Sequence, residues 1–101
     1  MLDILIDALR RDRTVMFAYD DKPRVVEIHA IGTSTKDAGI VVRGYQVGGD
    51  ASRPLPAWHL FRLDRIPPHT LAIGPRTSEA PRPGYARGDR QMADIIAQID
   101  V

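Results

Sequence analysis

The chain has 101 residues, of which 44% are hydrophobic and 27% charged, a balance typical of one globular domain. It contains no cysteine, which excludes a disulfide framework, a cysteine-rich zinc site and a thiolate nucleophile. No apolar run approaches the roughly 20 residues that a membrane span needs, and Asp3 and Asp7 lie where a signal peptide carries positive charge. We therefore expect a cytoplasmic protein that has no membrane partner.

The formal net charge is only +1, but the positive charge is concentrated in one part of the chain. Residues 1–52 contain 7 basic and 8 acidic side chains, residues 53–90 contain 7 arginines and 3 acidic side chains, and residues 91–101 contain 2 acidic side chains. The planar guanidinium group suits phosphate and carboxylate and stacks on rings. The arginine-rich part indicates an anionic partner, although a GC-rich genome would produce the same enrichment without any binding role.

The first predicted element is a short amphipathic helix over residues 2–11. Apolar residues recur there at the i, i+3, i+4, i+7 spacing of one helix face. Aspartate near the start and arginine at the end suit the helix dipole. The apolar positions are Leu2, Leu5, Ile6 and Leu9.

Five short strands are predicted to follow the helix. Each combines β-branched or aromatic residues with turn residues at its ends. In the second strand, Val26 and Ile28 alternate with Glu27 and His29, the pattern of a strand with one face exposed to water. Gly44 in the third strand suggests a bulge or a bend. The predicted strands are 14–19, 24–31, 40–47, 57–63 and 69–73.

The C-terminal part is predicted to contain an irregular segment and a closing helix. Residues 75–88 are rich in proline, glycine and arginine and do not fit a regular element. Asp89 has the character of an N-cap, and the apolar residues after it repeat the helical spacing. These residues are Met92, Ile95, Ile96 and Ile99.

Together these elements predict a mainly β protein. The short connections leave no room for crossover helices, so we expect an antiparallel sheet. A small closed barrel is favoured because closure removes exposed strand edges. We therefore expect a five-stranded antiparallel barrel with an N-terminal and a C-terminal helix. Residues 1–75 would form the barrel with its first helix, and residues 76–101 an extension and helix of the same domain.

Several motifs together resemble a known family. Arg24 after a turn, then Gly44-Tyr45-Gln46, then residues 61–66 with the sequence Phe-Arg-Leu-Asp-Arg-Ile follow the order found in the WYL domain. The resemblance covers about residues 4–73. It implies an Sm-like or SH3-like β-barrel.

The resemblance extends beyond the barrel and has one departure. Residues 81–92 resemble the tail of short stand-alone WYL-type proteins, which lack the helix-turn-helix DNA-binding domain that usually precedes the barrel. Where the family has Trp-Tyr-Leu on the third strand, this chain has Ile40-Val41-Val42.

The resemblance also implies a function. WYL domains act as sensors that bind nucleotides or single-stranded nucleic acid in a positively charged pocket, in transcription regulators and in phage-defence systems. By position, the pocket arginines of the family correspond to Arg62 and Arg65, and Arg24 also matches a family position. From this sequence itself we add four ligand-binding candidates: His29, Arg43, Tyr45 and His59.

The roles of the motif residues remain open at this stage. Arg62 and Arg65 would bind phosphate while Asp64 orients one of them, or Asp64 would pair with Arg24 or Arg62 and tie strands together. Because Arg62 and Arg65 lie on opposite faces of a strand, both can point inward only where the strand bends. For stacking on bases, Tyr45 is favoured over Trp58, because a lone tryptophan in a small barrel is commonly a core residue.

The sequence offers no support for an enzyme, a metal site or a cofactor. No histidine pair has metal-ligand spacing on a shared helix, no serine lies in a nucleophile elbow, and no phosphate-binding loop is present. A hydrolase of cyclic nucleotides would need a metal or paired carboxylates. The residues considered were His29, His59 and His69 as ligands and Ser34, Ser52 and Ser78 as nucleophiles.

Two functions follow from these observations. The first is a regulatory or sequestering binding module for a nucleotide, a second messenger or a short single-stranded nucleic acid. The alternative is an interaction protein whose barrel assembles with itself or with another chain through its amphipathic helices and binds no small ligand.

Overall fold

A computed structural model describes residues 1–77 and 79–100. Over these residues the chain forms one α-helix and six strands, with two short 3-10 turns at Leu63–Arg65 and Pro68–Thr70 between the fourth and fifth strands. The elements in chain order are α1 Leu2–Arg10, β1 Arg13–Tyr19, β2 Lys22–Ser34, β3 Ile40–Gly49, β4 Ala57–Arg62, β5 Ala72–Arg76 and β6 Met92–Gln98.

All strand pairs are antiparallel, and the strands follow the order β4-β3-β2-β1-β5, with β6 also paired to β2. The long β2 makes this branched arrangement possible. Residues 22–27 of β2 pair with β1, whereas residues 30–34 of the same strand pair with β6. The prediction of a mainly β, antiparallel protein with an N-terminal helix is confirmed.

The prediction of a closed barrel is wrong. Within the described residues no ladder joins β4 to β5, so the sheet stays open there. The two 3-10 turns separate these strands, and a side chain occupies the junction: the Tyr19 hydroxyl accepts a hydrogen bond from the backbone N–H of Arg62 at 3.0 Å. The first two residues assigned to the fifth strand, His69 and Thr70, lie in the second turn instead.

The predicted C-terminal helix is also wrong, because Met92–Gln98 forms strand β6. β2 continues to Ser34, beyond its predicted end, and its extra residues offer an edge with which β6 pairs. Met92 packs with Ala30 and Val41, while Ala97 joins the main core. The periodic apolar residues therefore lie in a strand and not in a helix, because pairing with an available sheet edge outweighs a weak local preference for the helix.

The expected irregularity near Gly44 is found on the neighbouring strand. Ile28 pairs with Gly44 and Ala30 with Arg43, which leaves His29 as an extra, bulged residue on β2. Glycine is needed at position 44 because a Cβ atom there would lie 2.3 Å from Val26 Cγ1.

The main core lies between α1 and one face of the sheet. The apolar face of the helix contributes Leu5, Ala8 and Leu9, all buried. The sheet contributes Val15, Phe17, Tyr19, Val26, Ile28, Ile31, Val42 and Phe61. No helix among the described residues is long and apolar enough to cross a membrane.

Candidate functional site

The face of β2, β3 and β4 that points away from α1, here called the outer face, carries Glu27, His29, Arg43, Tyr45 and Trp58. Strand alternation places them opposite the core, as the pattern in β2 predicted. Unexpectedly, Glu27 is only 3% exposed and His29 is 0% exposed. Residues 79–91, here called the strap, lie across this face and bury both side chains.

Glu27 and Arg82 form the main polar contact between the sheet and the strap. The Arg82 Nε donates to Glu27 Oε1 at 2.6 Å, and its Nη2 donates to Oε2 at 2.9 Å, which is the bidentate geometry of a strong ion pair. The Thr77 hydroxyl also donates to the same carboxylate. Burial opposes the charge on Glu27, but these hydrogen bonds outweigh burial and lower the pKa of the carboxyl.

His29 forms the second contact with the strap, and its hydrogen bonds define its tautomer. Nδ1 lies 2.9 Å from the carbonyl oxygen of Glu27, which only accepts, so Nδ1 carries the proton. Nε2 accepts the backbone N–H of Arg82 at 3.0 Å. Burial lowers the pKa of His29 and favours this neutral form.

Aromatic rings surround His29 on the outer face. Its ring centroid lies 4.7 Å from that of Trp58 and 5.4 Å from that of Tyr85, while Tyr45 and Trp58 pack edge to face at 5.0 Å. The Arg82 guanidinium lies over the Tyr45 ring, 5.2 Å from its centroid. Tyr45, the favoured stacking candidate, is therefore partly covered by the strap.

Hydrogen bonds and close packing also hold the middle of the strap against the sheet. Trp58 Nε1 donates to the Pro83 carbonyl at 3.1 Å, and the Tyr85 hydroxyl donates to the Ile99 carbonyl at 2.7 Å. Gly84 has a φ of +95°, and a Cβ atom there would lie 3.0 Å from Trp58 Nε1. Only glycine combines this backbone conformation with such a close approach to the indole.

Between the strap and the outer face lies a cavity of about 430 Å³, here called the strap cavity. This volume is within the range of small-molecule binding sites, roughly 300–1,000 Å³. One aromatic wall is the indole of the chain's single tryptophan. The cavity is lined by Arg43, Trp58, Gly84, Tyr85, Ala86, Arg87, Gly88, Asp89 and Arg90.

The charge of the strap cavity is positive. Three arginines and one aspartate line it, which gives a formal charge of +2. Arg43 Nε donates to the Asp89 carboxylate at 2.7 Å. Burial opposes the charge on Asp89, but this hydrogen bond and one from the Gln91 N–H outweigh burial and lower the pKa of the Asp89 carboxyl. Arg87 pairs with Asp100 at 3.1 Å, but both side chains are exposed, so this ion pair is weak.

The other sequence-predicted residues gather elsewhere, around Tyr19. Arg24 is buried, and its Nε and Nη2 donate to the Tyr19 carbonyl while its Nη1 donates to Gln46 Oε1. The Arg65 guanidinium lies over the Tyr19 ring at 4.8 Å from the centroid, and the His59 ring meets it edge-on at 5.7 Å. Burial, followed by the charge of Arg53, lowers the pKa of His59.

The two motif arginines are paired with carboxylates. Arg62 contacts Asp37 at 2.9 Å and Asp64 at 3.2 Å, and Arg65 pairs with Asp20. The chain bends at this point, since β4 ends at Arg62 and the 3-10 turn follows. Asp64 does pair with Arg62, but these residues are two positions apart, so the pair does not join two strands; it is the Arg62–Asp37 pair that connects β4 to the turn between β2 and β3.

The structure thus divides the seven candidates into two groups. His29, Arg43 and Tyr45 lie on the outer face, whereas Arg24, His59 and Arg65 contact Tyr19 with their side chains and Arg62 contacts it with its backbone N–H. Ligand binding by each of them stays a prediction. Sequence reasoning missed Glu27, Arg82 and Asp89 as partners, and the only available signal was that an acidic residue alternated with buried apolar ones in β2.

The described residues contain no group of three His, Asp or Glu side chains that would hold a metal ion. Ser78, one of the serines considered as a nucleophile, lies outside the described residues.

Comparison of the chain with family models, with curated proteins and with solved structures finds no match. The relationship to the WYL family therefore stays a prediction from the motifs.

Proposed function

We propose that the protein is a binding module that holds an anionic ligand with an aromatic ring, such as a nucleotide or the end of a single-stranded nucleic acid, in the strap cavity. The observation that carries this proposal is the presence of Trp58 and Tyr85 beside Arg43, Arg87 and Arg90 in one cavity of about 430 Å³. Aromatic rings stack on bases, and guanidinium groups bind phosphate.

The position of the ligand differs from the one that the WYL resemblance implies. Arg62 and Arg65 are already bound to carboxylates, so an anion there would have to displace Asp37, Asp64 or Asp20. In the strap cavity Arg43 is paired with Asp89 and Arg87 with Asp100, but the ion pairs among the described residues do not include Arg90, which is exposed. An anion can therefore bind Arg90 without displacing a carboxylate.

The strap relates ligand binding to a regulatory or sequestering role. Residues 84–90 form most of the cavity lining, and the strap is held on the sheet through Arg82. A ligand that contacts both Trp58 and the strap stabilises the closed arrangement, because it binds only when the two walls are together. We also keep the relationship to the WYL family, and with it a transcription or phage-defence role, as part of this proposal.

The single tryptophan provides a direct test. Nucleoside monophosphates, cyclic nucleotides and short oligodeoxynucleotides are titrated against the protein at low salt while Trp58 fluorescence is recorded. We expect quenching that weakens as salt rises, since phosphate contacts are strongest at low ionic strength. Absence of quenching by every probe at low salt would overturn the proposal.

Matched variants locate the ligand. Arg90→Gln removes one cavity cation and is expected to weaken binding about tenfold, the loss of one charge-assisted hydrogen bond. Arg53→Gln removes the same charge from an exposed loop outside the cavity lining and should leave binding unchanged. If Arg62→Gln weakens binding and Arg90→Gln does not, the ligand lies at the motif and not in the strap cavity.

The alternative, an assembly protein, is favoured by a different observation. Of the large apolar side chains that the structure describes, three are exposed, namely Ile4, Ile73 and Ile96. Ile96 lies on β6, whose only partner strand among the described residues is β2. Light scattering tests this function: a fixed oligomer that Ile96→Asp converts to a monomer would support it, and a monomeric wild-type protein would exclude self-assembly.

A further inference from the structure

Three arginines line a second hollow, where the end of α1 meets the ladder between β1 and β5. The hollow has a volume of about 270 Å³, and its lining consists of Arg11, Arg13 and Arg76. It shares no residue with the strap cavity. The cluster therefore requires an explanation of its own.

The positions of two of these arginines bring like charges together. Arg13 on β1 and Arg76 on β5 are directly opposite in the antiparallel ladder, so their side chains extend from the same face. Like charges directly opposite each other destabilise a sheet. Among residues 1–77 and 79–100, the ion pairs include neither Arg13 nor Arg76.

Two of the guanidinium groups are oriented through their Nε atoms. Arg13 Nε donates to the Gly74 carbonyl at 2.7 Å, and Arg11 Nε donates to Asp7 Oδ1 at 2.9 Å. These bonds leave the Nη donors of both groups for another acceptor. Gly74 allows the close packing beside Arg13, because a Cβ atom there would lie 2.5 Å from Thr14 Oγ1.

The local charge favours an anion. The lining of the hollow carries three positive charges and no carboxylate. Asp7, which pairs with Arg11, Asp12, which lies between Arg11 and Arg13 in the chain, and the negative end of the α1 dipole offset part of this charge but not all of it. An anion bound among the three arginines would also relieve the repulsion between Arg13 and Arg76.

We propose that Arg11, Arg13 and Arg76 form a binding site for a phosphate group, either of inorganic pyrophosphate or of a phosphate monoester. A tetrahedral oxyanion offers several acceptor oxygens to the guanidinium donors that line the hollow. The hollow accommodates the phosphate and the first part of a group attached to it.

The test measures thermal unfolding of the full chain with sodium pyrophosphate at constant ionic strength, adjusted with sodium chloride. We expect pyrophosphate to raise the Tm of the wild-type protein and its apparent affinity to fall at least about tenfold in Arg76→Gln. Arg76 is exposed, so this variant is expected to fold. Without an anion at low salt, its Tm should equal or exceed that of the wild type, because the repulsion with Arg13 is gone.

Two control variants assign the effect to this hollow. Arg53→Gln and Arg90→Gln remove the same charge elsewhere and should both retain the pyrophosphate shift. The proposal is overturned if pyrophosphate raises the Tm of Arg76→Gln as much as that of the wild-type protein. It is also overturned if Arg90→Gln loses the rise in Tm, a result that would assign the anion to the strap cavity. Phenyl phosphate as a second probe separates the sources: equal binding supports a monoester, and a preference for pyrophosphate supports a free polyphosphate.

Discussion

Glu27 and Arg82, which are 55 positions apart in the chain, form a bidentate ion pair in which the carboxylate is almost completely buried. This pair joins the outer face of the sheet to the strap. The pair lies beside the neutral His29, and together they form the centre of a buried polar layer. Among the described residues, every buried side-chain nitrogen or oxygen has a hydrogen-bond partner. The strap cavity therefore depends on a contact between residues that do not line it.

Replacement of Arg82 by methionine should destabilise the protein by about 2–3 kcal/mol. Methionine keeps much of the side-chain packing but leaves the Glu27 carboxylate buried beside a single hydroxyl donor, and an uncompensated buried charge is costly. Urea unfolding measures the change. The matched control is Glu79→Gln, since Glu79 is the exposed partner of Arg82 at 3.7 Å and should contribute less than about 0.5 kcal/mol. Equal effects of the two substitutions would show that Glu27 gains little from Arg82.

Stability should decrease as the pH falls below about 6.5. Burial lowers the pKa of His29 in the folded state. As the pH falls, the unfolded chain therefore takes up a proton at a higher pH than the folded chain does, and this proton uptake lowers the free energy of unfolding. The loss begins at the unfolded pKa of about 6.5 and continues down to the lowered folded pKa, with a slope of at most about 1.4 kcal/mol per pH unit for one histidine. Protonated Nε2 would face the Arg82 N–H, so the strap contact breaks.

Denaturant unfolding at a series of pH values measures this effect. His29→Gln should flatten the curve below about pH 6.5. His59, whose pKa is also lowered, titrates in the same window, and His59→Gln isolates its share. Below about pH 4.5 a further loss is expected as Glu27, with its lowered pKa, becomes protonated. A pH curve unaffected by His29→Gln would contradict the role of His29 in holding the strap.

Substitution of Gly84 by alanine should disturb the strap more than substitution of Gly88. Both glycines have a positive φ, at +95° and +71°, so alanine is strained by about 1–2 kcal/mol at either position. Only at Gly84 does the new Cβ meet another group, Trp58 Nε1 at 3.0 Å, whereas Gly88 has open space around it. We expect the larger fall in Tm, and a shift of the Trp58 emission maximum, in Gly84→Ala alone. An unchanged emission spectrum in that variant would show that the indole does not lie against the strap.

Local patterns were sufficient to predict α1 and the first four strands. The spacing of Leu2, Leu5 and Leu9 is helical, β1 is rich in β-branched and aromatic residues, and the alternation in β2 has the period of a strand. In each case the deciding information lies within a few residues of the element itself.

The tertiary structure alone decided the C-terminal strand and the candidate site. Residues 92–99 have an apolar spacing that is compatible with a helix, and the free edge at the end of β2 makes residues 92–98 a strand. The alternation in β2 correctly placed Glu27 and His29 opposite the core, but it carries no information about the strap that covers them, because their partners lie more than 50 positions away. The sequence thus determined which residues are polar, and long-range packing determined which of these polar residues are buried, paired or left to line a cavity.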